Sequence, residues 1–320
     1  MAQQYDMPLK ELEKYKPHLT RHSDFEDFWE KSLKKLESIS REYSLIPYDY
    51  PVKGVEVYQI SYSGFENANI DGWLAIPKGV KNCPGIVMFH GYNWAFDGNL
   101  HNVVDFALKG YATMHVLVRG QQGKSVDNII SMSGFTAGWI TKGILDPEEY
   151  YYRAVYLDGV RAVEVLASLD FVDNTKIGVV GGSQGGAIAL AVAALSNIPK
   201  VTAVEYPFLS NFERAIEVVP KGPYLEIIDY FRRNSNVEIE EKAKNTLSYF
   251  DIMNLSPLIK CHTWMCVGLV DEITPPSTVF ATYNHLECSK EISVFKYFGH
   301  EYIPGAVEPK LKCLMNILQM

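Results

Sequence analysis

No apolar run in this chain approaches the roughly 20 residues that a transmembrane helix requires. The N-terminus reads Met1-Ala2-Gln3-Gln4-Tyr5-Asp6-Met7-Pro8-Leu9. It has no basic start followed by an apolar stretch, so no secretory leader is expected. Cysteine is scarce: Cys83, Cys261, Cys266, Cys288 and Cys313 make an odd number, and none stands in a C-x-x-C pair. Neither a disulfide framework nor a zinc site is expected, and the five read as reduced core thiols of a cytoplasmic protein. In that compartment the sequon Asn254-Leu255-Ser256 has no meaning. Basic residues are outnumbered, 30 Lys and Arg against 38 Asp and Glu, for a net charge of −8. No dense basic run offers a face to nucleic acid. No His/Asp cluster has metal-ligand spacing, which disfavours a metal-dependent reaction, and no cofactor is expected. Repeats, low-complexity tracts and convincing linkers are also missing.

What is present suits a large folded core. The chain has 320 residues, 47% hydrophobic and 21% charged, and α/β folds of this size often form one domain. Residues 1 to about 45 are charged and read as a helical extension. In the stretch 24–40, Phe25, Phe28, Trp29, Leu33 and Leu36 fall at helical spacing, giving an amphipathic helix that would cap a sheet edge or meet a partner. Residues 54–63 and 70–76 alternate like two antiparallel strands, with a turn at 64–68. Runs 84–89 and 111–118 are continuously apolar, as central strands covered on both faces are, and 101–109 reads as a helix between them. Residues 153–169 form a long helix, 176–180 a short buried strand, 187–196 a helix and 201–206 a strand. From 207 to about 258 the alternation breaks, and aromatic and charged residues suggest a mostly helical lid. Strands at 262–268 and 292–297 and helices near 277–285 and 308–318 complete the pattern. Repeated strand–helix units imply a mostly parallel sheet with helices on both faces, in one domain spanning 1–320.

The chemistry centres on Gly181-Gly182-Ser183-Gln184-Gly185. Between a strand and a helix, G-x-S-x-G is the nucleophile elbow of the α/β-hydrolase fold, which lifts the serine hydroxyl beside the free N–H groups of a helix N-terminus. A serine nucleophile needs a base and an orienting acid, which follow it in the order Ser, acid, His in this fold. After Ser183 stand His262, within a strand; His285, at a helix end; and His300, in the loop before the last helix. Position selects His300. For the acid, Asp271 opens the loop after the strand ending at 268, with Glu272 as its neighbour and rival and Asp251 within the insertion. The alternative for Asp271 is a turn residue before Pro275-Pro276. Two donors must meet the oxyanion of acyl transfer. The Gln184 N–H follows the nucleophile, and the Tyr92 N–H follows His90-Gly91 at a strand end. Arg119 and Gln121 end a central strand and read as supports, Arg119 by bracing the oxyanion loop through paired hydrogen bonds or by a structural ion pair under the site. Tyr92, Trp94 and Phe208 are candidates to stack on a substrate ring, against the plainer reading of lid packing.

Arg119-Gly120-Gln121, Gly181-Gly182-Ser183-Gln184-Gly185 and His300-Glu301 together resemble the signature motifs of carbohydrate esterase family 7, the acetyl xylan esterases and cephalosporin C deacetylases. The resemblance runs through Pro8-Leu9, His90-Gly91-Tyr92, Gly138-Trp139, Tyr150 to Arg153, Tyr206 to Arg214, Tyr249 to Met253 and Thr274 to Ser277. It implies an α/β-hydrolase fold, a triad of Ser183, Asp271 and His300, and oxyanion donors at Tyr92 and Gln184. It also implies a hexamer, a trimer of dimers with sites facing an inner cavity, acting inside the cell on small acetylated sugars and cephalosporin C. A serine peptidase or thioesterase of the same fold, and a non-catalytic binding protein of hydrolase ancestry, are the rival readings.

Overall fold

The protein is described by a computed structural model at residues 5–93 and 100–319. Its strands are β1 (Tyr43–Tyr48), β2 (Val55–Ser63), β3 (Asn69–Pro77), β4 (Cys83–Phe89), β5 (Ala112–Val116), β6 (Val172–Gly182), β7 (Pro199–Glu205), β8 (His262–Gly268) and β9 (Lys290–Phe295). Among the described residues they form one sheet in the order β1-β2-β3-β5-β4-β6-β7-β8-β9. The first four pair antiparallel and the strands from β5 to β9 run parallel. The sheet is thus mostly parallel, with an antiparallel wing of three strands where the alternation pattern indicates two. The extra one, β1, is exposed along most of its length. It carries Pro47 and buries no face, so no period of two marks it.

Helices α1 (Leu9–Leu12), α2 (Phe25–Glu37), α3 (Leu100–Leu108), α4 (Tyr151–Ala167), α5 (Gln184–Leu195), α6 (Phe212–Val218), α7 (Leu225–Arg233), α8 (Val237–Phe250), α9 (Ile252–Leu255), α10 (Pro276–His285) and α11 (Pro304–Leu318) complete the described architecture. Successive strand residues point to opposite faces, and the core divides accordingly. Val87 and Val179 join α4 and α5 in one cluster. Their neighbours Ile86 and Val180 join Phe106 of α3 and Ala306 and Leu314 of α11 in another. Strand β4 and the 177–180 part of β6 are therefore apolar without interruption, as strands covered twice must be. No helix among the described residues is long and apolar enough to cross a membrane.

Two expectations about the flanking elements need correction. Helix α2 does not cap a sheet edge. It lies on α4 and α8, with Trp29 Nε1 donating to the Tyr249 carbonyl at 3.1 Å and Phe28 edge-on to Phe250 at 5.7 Å. The N-terminal stretch is also not helical to residue 45, because β1 begins at Tyr43. The insertion is helical, built of α6 to α9, and its residues share the core cluster of α4 and α5.

Arg119 leaves the end of β5 wholly buried. Its Nε and Nη2 reach Asp158 Oδ2 and Oδ1 of α4 at 2.6 and 2.8 Å, and Nη2 also donates to the Phe65 carbonyl at 3.0 Å. Asp158 in turn accepts from the Phe65 N–H at 2.8 Å. Of the two roles open to Arg119, the paired hydrogen bonds go to this structural ion pair and not to the oxyanion loop. Breaking a buried pair strands a charge, at about 3–5 kcal/mol. Asp158→Ala is expected to lower the urea midpoint by a matching amount, and a loss under about 1 kcal/mol would contradict this reading.

Candidate active site

Ser183 sits between β6 and α5 at φ 56° and ψ −122°, a conformation costing about 1–3 kcal/mol for a residue with a side chain. The surroundings hold it there. Its N–H donates to the Glu205 carbonyl at 3.0 Å, and its own carbonyl accepts from Ala187 N–H at 3.1 Å and Phe208 N–H at 3.0 Å. The turn is sharp enough that a Cβ on Gly181 would lie 2.3 Å from the Gly185 carbonyl carbon, and one on Gly185 would lie 2.0 Å from the Phe89 oxygen. Only glycine fits at those two positions. Helix α5 starts at Gln184, one residue after the serine, so its unpaired first-turn N–H groups begin beside the hydroxyl. Among the described residues the Ser183 hydroxyl makes no hydrogen bond.

Asp271 is fully buried in the loop after β8. Its Oδ1 accepts from the N–H groups of Ile273 at 2.8 Å and Thr274 at 2.9 Å, and its Oδ2 from Thr274 Oγ1 at 2.8 Å. The remaining contact on Oδ2 is His300 Nδ1 at 2.8 Å. A carboxylate only accepts, so Nδ1 carries the proton and Nε2 keeps its lone pair. Tyr206 links this pair to the elbow. Its ring lies over His300 at 4.6 Å, and the position of a Cβ on Gly182 is 3.5 Å from its Cε2. The other candidates are engaged elsewhere. Glu272 pairs with Lys221 at 2.5 Å. Asp251 accepts from the N–H groups of Asn211, Phe212 and Met253 at 2.7, 2.9 and 2.9 Å. His262 meets Ser289 Oγ at 2.9 Å, and His285 the Ala281 carbonyl at 2.8 Å.

Gln121 and Gln184 form a reciprocal amide pair, Nε2 to Oε1 at 2.8 Å one way and 3.0 Å the other. Tyr152 donates to the same Gln184 oxygen at 2.8 Å, while the Asn93 N–H donates to Gln121 Oε1 at 3.0 Å. Gln121 thus ties the loop carrying Tyr92 to the elbow, the role expected of Arg119. Phe208 does not offer a face to substrate. It is 1% exposed, with its ring against Tyr224 at 4.4 Å and Tyr92 at 6.0 Å, so the packing reading replaces the stacking one. Trp94 lies outside the described residues.

A family model described as acetyl xylan esterase matches residues 1–316. The chain belongs to the acetyl xylan esterase family. An acetyl xylan esterase from a Paenibacillus species superposes with a TM-score of 0.94 at 39% identity, over 98% of this chain and 100% of its own. A second, from a Thermoanaerobacterium species, gives 0.90 at 32% identity, over 98% and 99%. An acetyl esterase of Xylanibacter ruminicola is 27% identical over 86% of this chain. The chain spans 63% of that relative's length.

Some residues of this family member's site make contacts that the sequence did not indicate. The His90 ring is one. Its Nε2 accepts from the Val118 N–H at 2.9 Å, so its Nδ1 bears the proton and donates to the Gly91 carbonyl at 2.7 Å. It pins the loop before Tyr92 to the segment that follows β5, next to Arg119. Asp6 is another. It accepts from the Ser277 N–H at 2.7 Å and Arg214 Nη2 at 3.0 Å, while Tyr5 OH donates to the Asp271 carbonyl at 2.6 Å. Asp158 had a signal in the sequence, an acid on an otherwise apolar stretch of helix.

Burial lowers the His90 pKa from its ordinary value near 6.5 to about 4. The folded value lies below the unfolded one. The stability from the neutral ring is therefore whole above pH 6.5 and lost as pH falls through 4, about 3 kcal/mol in all. Nitrogen-15 NMR of the histidine rings is expected to show His90 as the neutral Nδ1–H tautomer at pH 5. An imidazolium there would contradict the assignment.

Proposed function

We propose that this chain is a serine esterase that removes acetyl groups from small acetylated sugars, acetylated xylo-oligosaccharides among them, and from cephalosporin C. The observation that carries the reading is the pairing of buried Asp271 with partly exposed His300, 2.8 Å apart, on the loops that adjoin a serine held at positive φ. Ser183 Oγ attacks the acetyl carbonyl while His300 Nε2 takes its proton. Asp271 holds the ring in the required tautomer and stabilises the imidazolium. The oxyanion rests on the N–H groups of Tyr92 and Gln184. His300 returns the proton to the departing sugar oxygen, leaving an acetyl-enzyme on Ser183. Water, deprotonated by the same ring, attacks that ester and releases acetate.

A homo-hexamer, as a trimer of dimers, is part of the proposal. It is supported by the signature motifs and by exposed apolar side chains in one segment, Ile130 at 77%, Met132 at 83% and Phe135 at 51%, which suit an association surface. A cytoplasmic setting is supported by five free cysteines, three of them buried, since thiols persist where disulfides are reduced.

Acetate release from acetylated xylo-oligosaccharides and cephalosporin C, compared with cleavage of butyryl and octanoyl esters, tests the reading. Acetyl esters are expected to turn over and the longer acyl chains to resist. Ser183→Ala is expected to lose about 10⁴-fold or more in kcat. A folded wild-type protein that cleaves no ester would overturn the proposal. Light scattering in solution checks the oligomer, with a mass of six chains expected.

A further inference from the structure

The lid meets the loop of Tyr92 at one carboxylate that the acyl-transfer steps do not use. Glu226 stands in the first turn of α7. The Tyr92 hydroxyl donates to its Oε1 and Oε2 at 3.1 and 2.9 Å, and the same hydroxyl accepts from the Trp139 N–H. The segment before Trp139 wraps the carboxylate closely. Gly138 has φ +102°, and a Cβ there would lie 2.1 Å from Glu226 Oε2. Thr136 Oγ1 donates to the Glu226 carbonyl at 3.2 Å, and the Ile140 backbone hydrogen-bonds its side chain. Three segments distant in sequence therefore converge on one phenol and one carboxyl.

We propose that Glu226 is a positioning residue: through the Tyr92 hydroxyl it fixes the turn that presents the Tyr92 N–H, so that docking of the lid and completion of the oxyanion hole are one event. The proposal rests on the esterase reading above, in which that N–H receives the oxyanion. Removing the acceptor lets the turn relax while Ser183, Asp271 and His300 keep their own contacts. The effect belongs in kcat, because the oxyanion develops only after binding.

The groups facing Glu226 make its docking sensitive to pH. Tyr92 faces it from the oxyanion loop, Tyr150 from the start of α4 and the Ile140 backbone from the segment between. On its own helix Asp229 is occupied by Arg232 at 3.3 Å. Lys142 and Lys221, on flanking segments, are engaged by Asp127 and Glu272. Among the described residues Glu226 forms no ion pair. Burial raises its carboxyl from 4.5 to about 7. The docked value lies above the free one, so docking is strongest below pH 4.5 and weakens as pH rises through about 7. On this reading Glu226 governs the alkaline limb of activity.

Steady-state kinetics on an acetyl ester test this with Glu226→Leu, Glu226→Gln, Tyr92→Phe and the double variant Glu226→Leu/Tyr92→Phe. Glu226→Leu and Tyr92→Phe are each expected to lower kcat about tenfold with KM changed less than threefold, and the double variant to lose no more than either single. Glu226→Gln keeps an acceptor for Tyr92, so it is expected to retain kcat within threefold. It is also expected to lose the decline in kcat/KM above pH 7 that the proposal predicts for the wild type. Wild-type kcat in folded Tyr92→Phe, additive losses in the double variant, or identical alkaline limbs for wild type and Glu226→Gln would each overturn the proposal. Tyr92→Phe keeps the ring and decides the matter if Glu226→Leu does not fold. Ser183→Ala separates the two readings: an active wild type with a dead Ser183→Ala and unaffected Glu226 variants sinks the positioning role alone.

Discussion

The backbone of the elbow lies against the backbone of β4. At Gly185 there is no room for even a methyl group before the Phe89 carbonyl, and Gly181 is pressed as closely on Gly185. This approach fixes where α5 begins relative to the ends of β4 and β6, and so where the Ser183 hydroxyl emerges. The unfavourable φ of Ser183 is tolerated because it is over-determined, with bonds from β7 and from Phe208 at the root of the lid closing on the same residue. Around that fixed point the remaining groups are placed by short polar ties, among them the paired amides of Gln121 and Gln184.

The tyrosines at the start of α4 show how the ties are distributed. Successive helix residues point about 100° apart, so three neighbours reach three places. Tyr150 OH donates to the Ile140 carbonyl at 2.9 Å, Tyr151 OH to the Arg119 carbonyl at 2.6 Å and Tyr152 OH to Gln184 Oε1 at 2.8 Å. One helical turn thereby fastens the segment that wraps Glu226, the loop of the Arg119 motif and the elbow itself. Each phenol brings a large apolar body to the core and a single polar tip that must find a partner when buried.

Much of this was legible in the sequence, for identifiable reasons. The central strands announced themselves because burial on both faces leaves unbroken apolar runs, and Ser183, His300 and Asp271 because their loops follow strands in a fixed order. Strand β1 was not legible, since an exposed edge imposes no period. The longer reach of β6, back to Val172, was masked by the polar residues Asp173, Asn174 and Thr175 at its exposed start. The partners of Arg119 were not legible either. A strand-end arginine has many bidentate acceptors available, and the choice of Asp158 depends on how α4 crosses the sheet. The same holds for His90, whose motif position was visible while its ring's grip on Val118 was not. Phe208 illustrates the reverse error: an aromatic near a site on paper is more often core than contact surface.

The hydrogen bond from Tyr5 to the Asp271 carbonyl joins residues 266 positions apart. During synthesis on the ribosome, the amino-terminal segment emerges long before the loop it secures. Elbow, lid and β7 are translated before the acid loop, and that loop acquires its outer clamp only when Tyr5 and Asp6 fold back across the finished sheet. Contacts of such separation form late, because the chain must close a large loop before they stabilise anything. The clamp on the acid loop would therefore be among the last contacts to form, joining the amino-terminal segment of the chain to one of the last loops made.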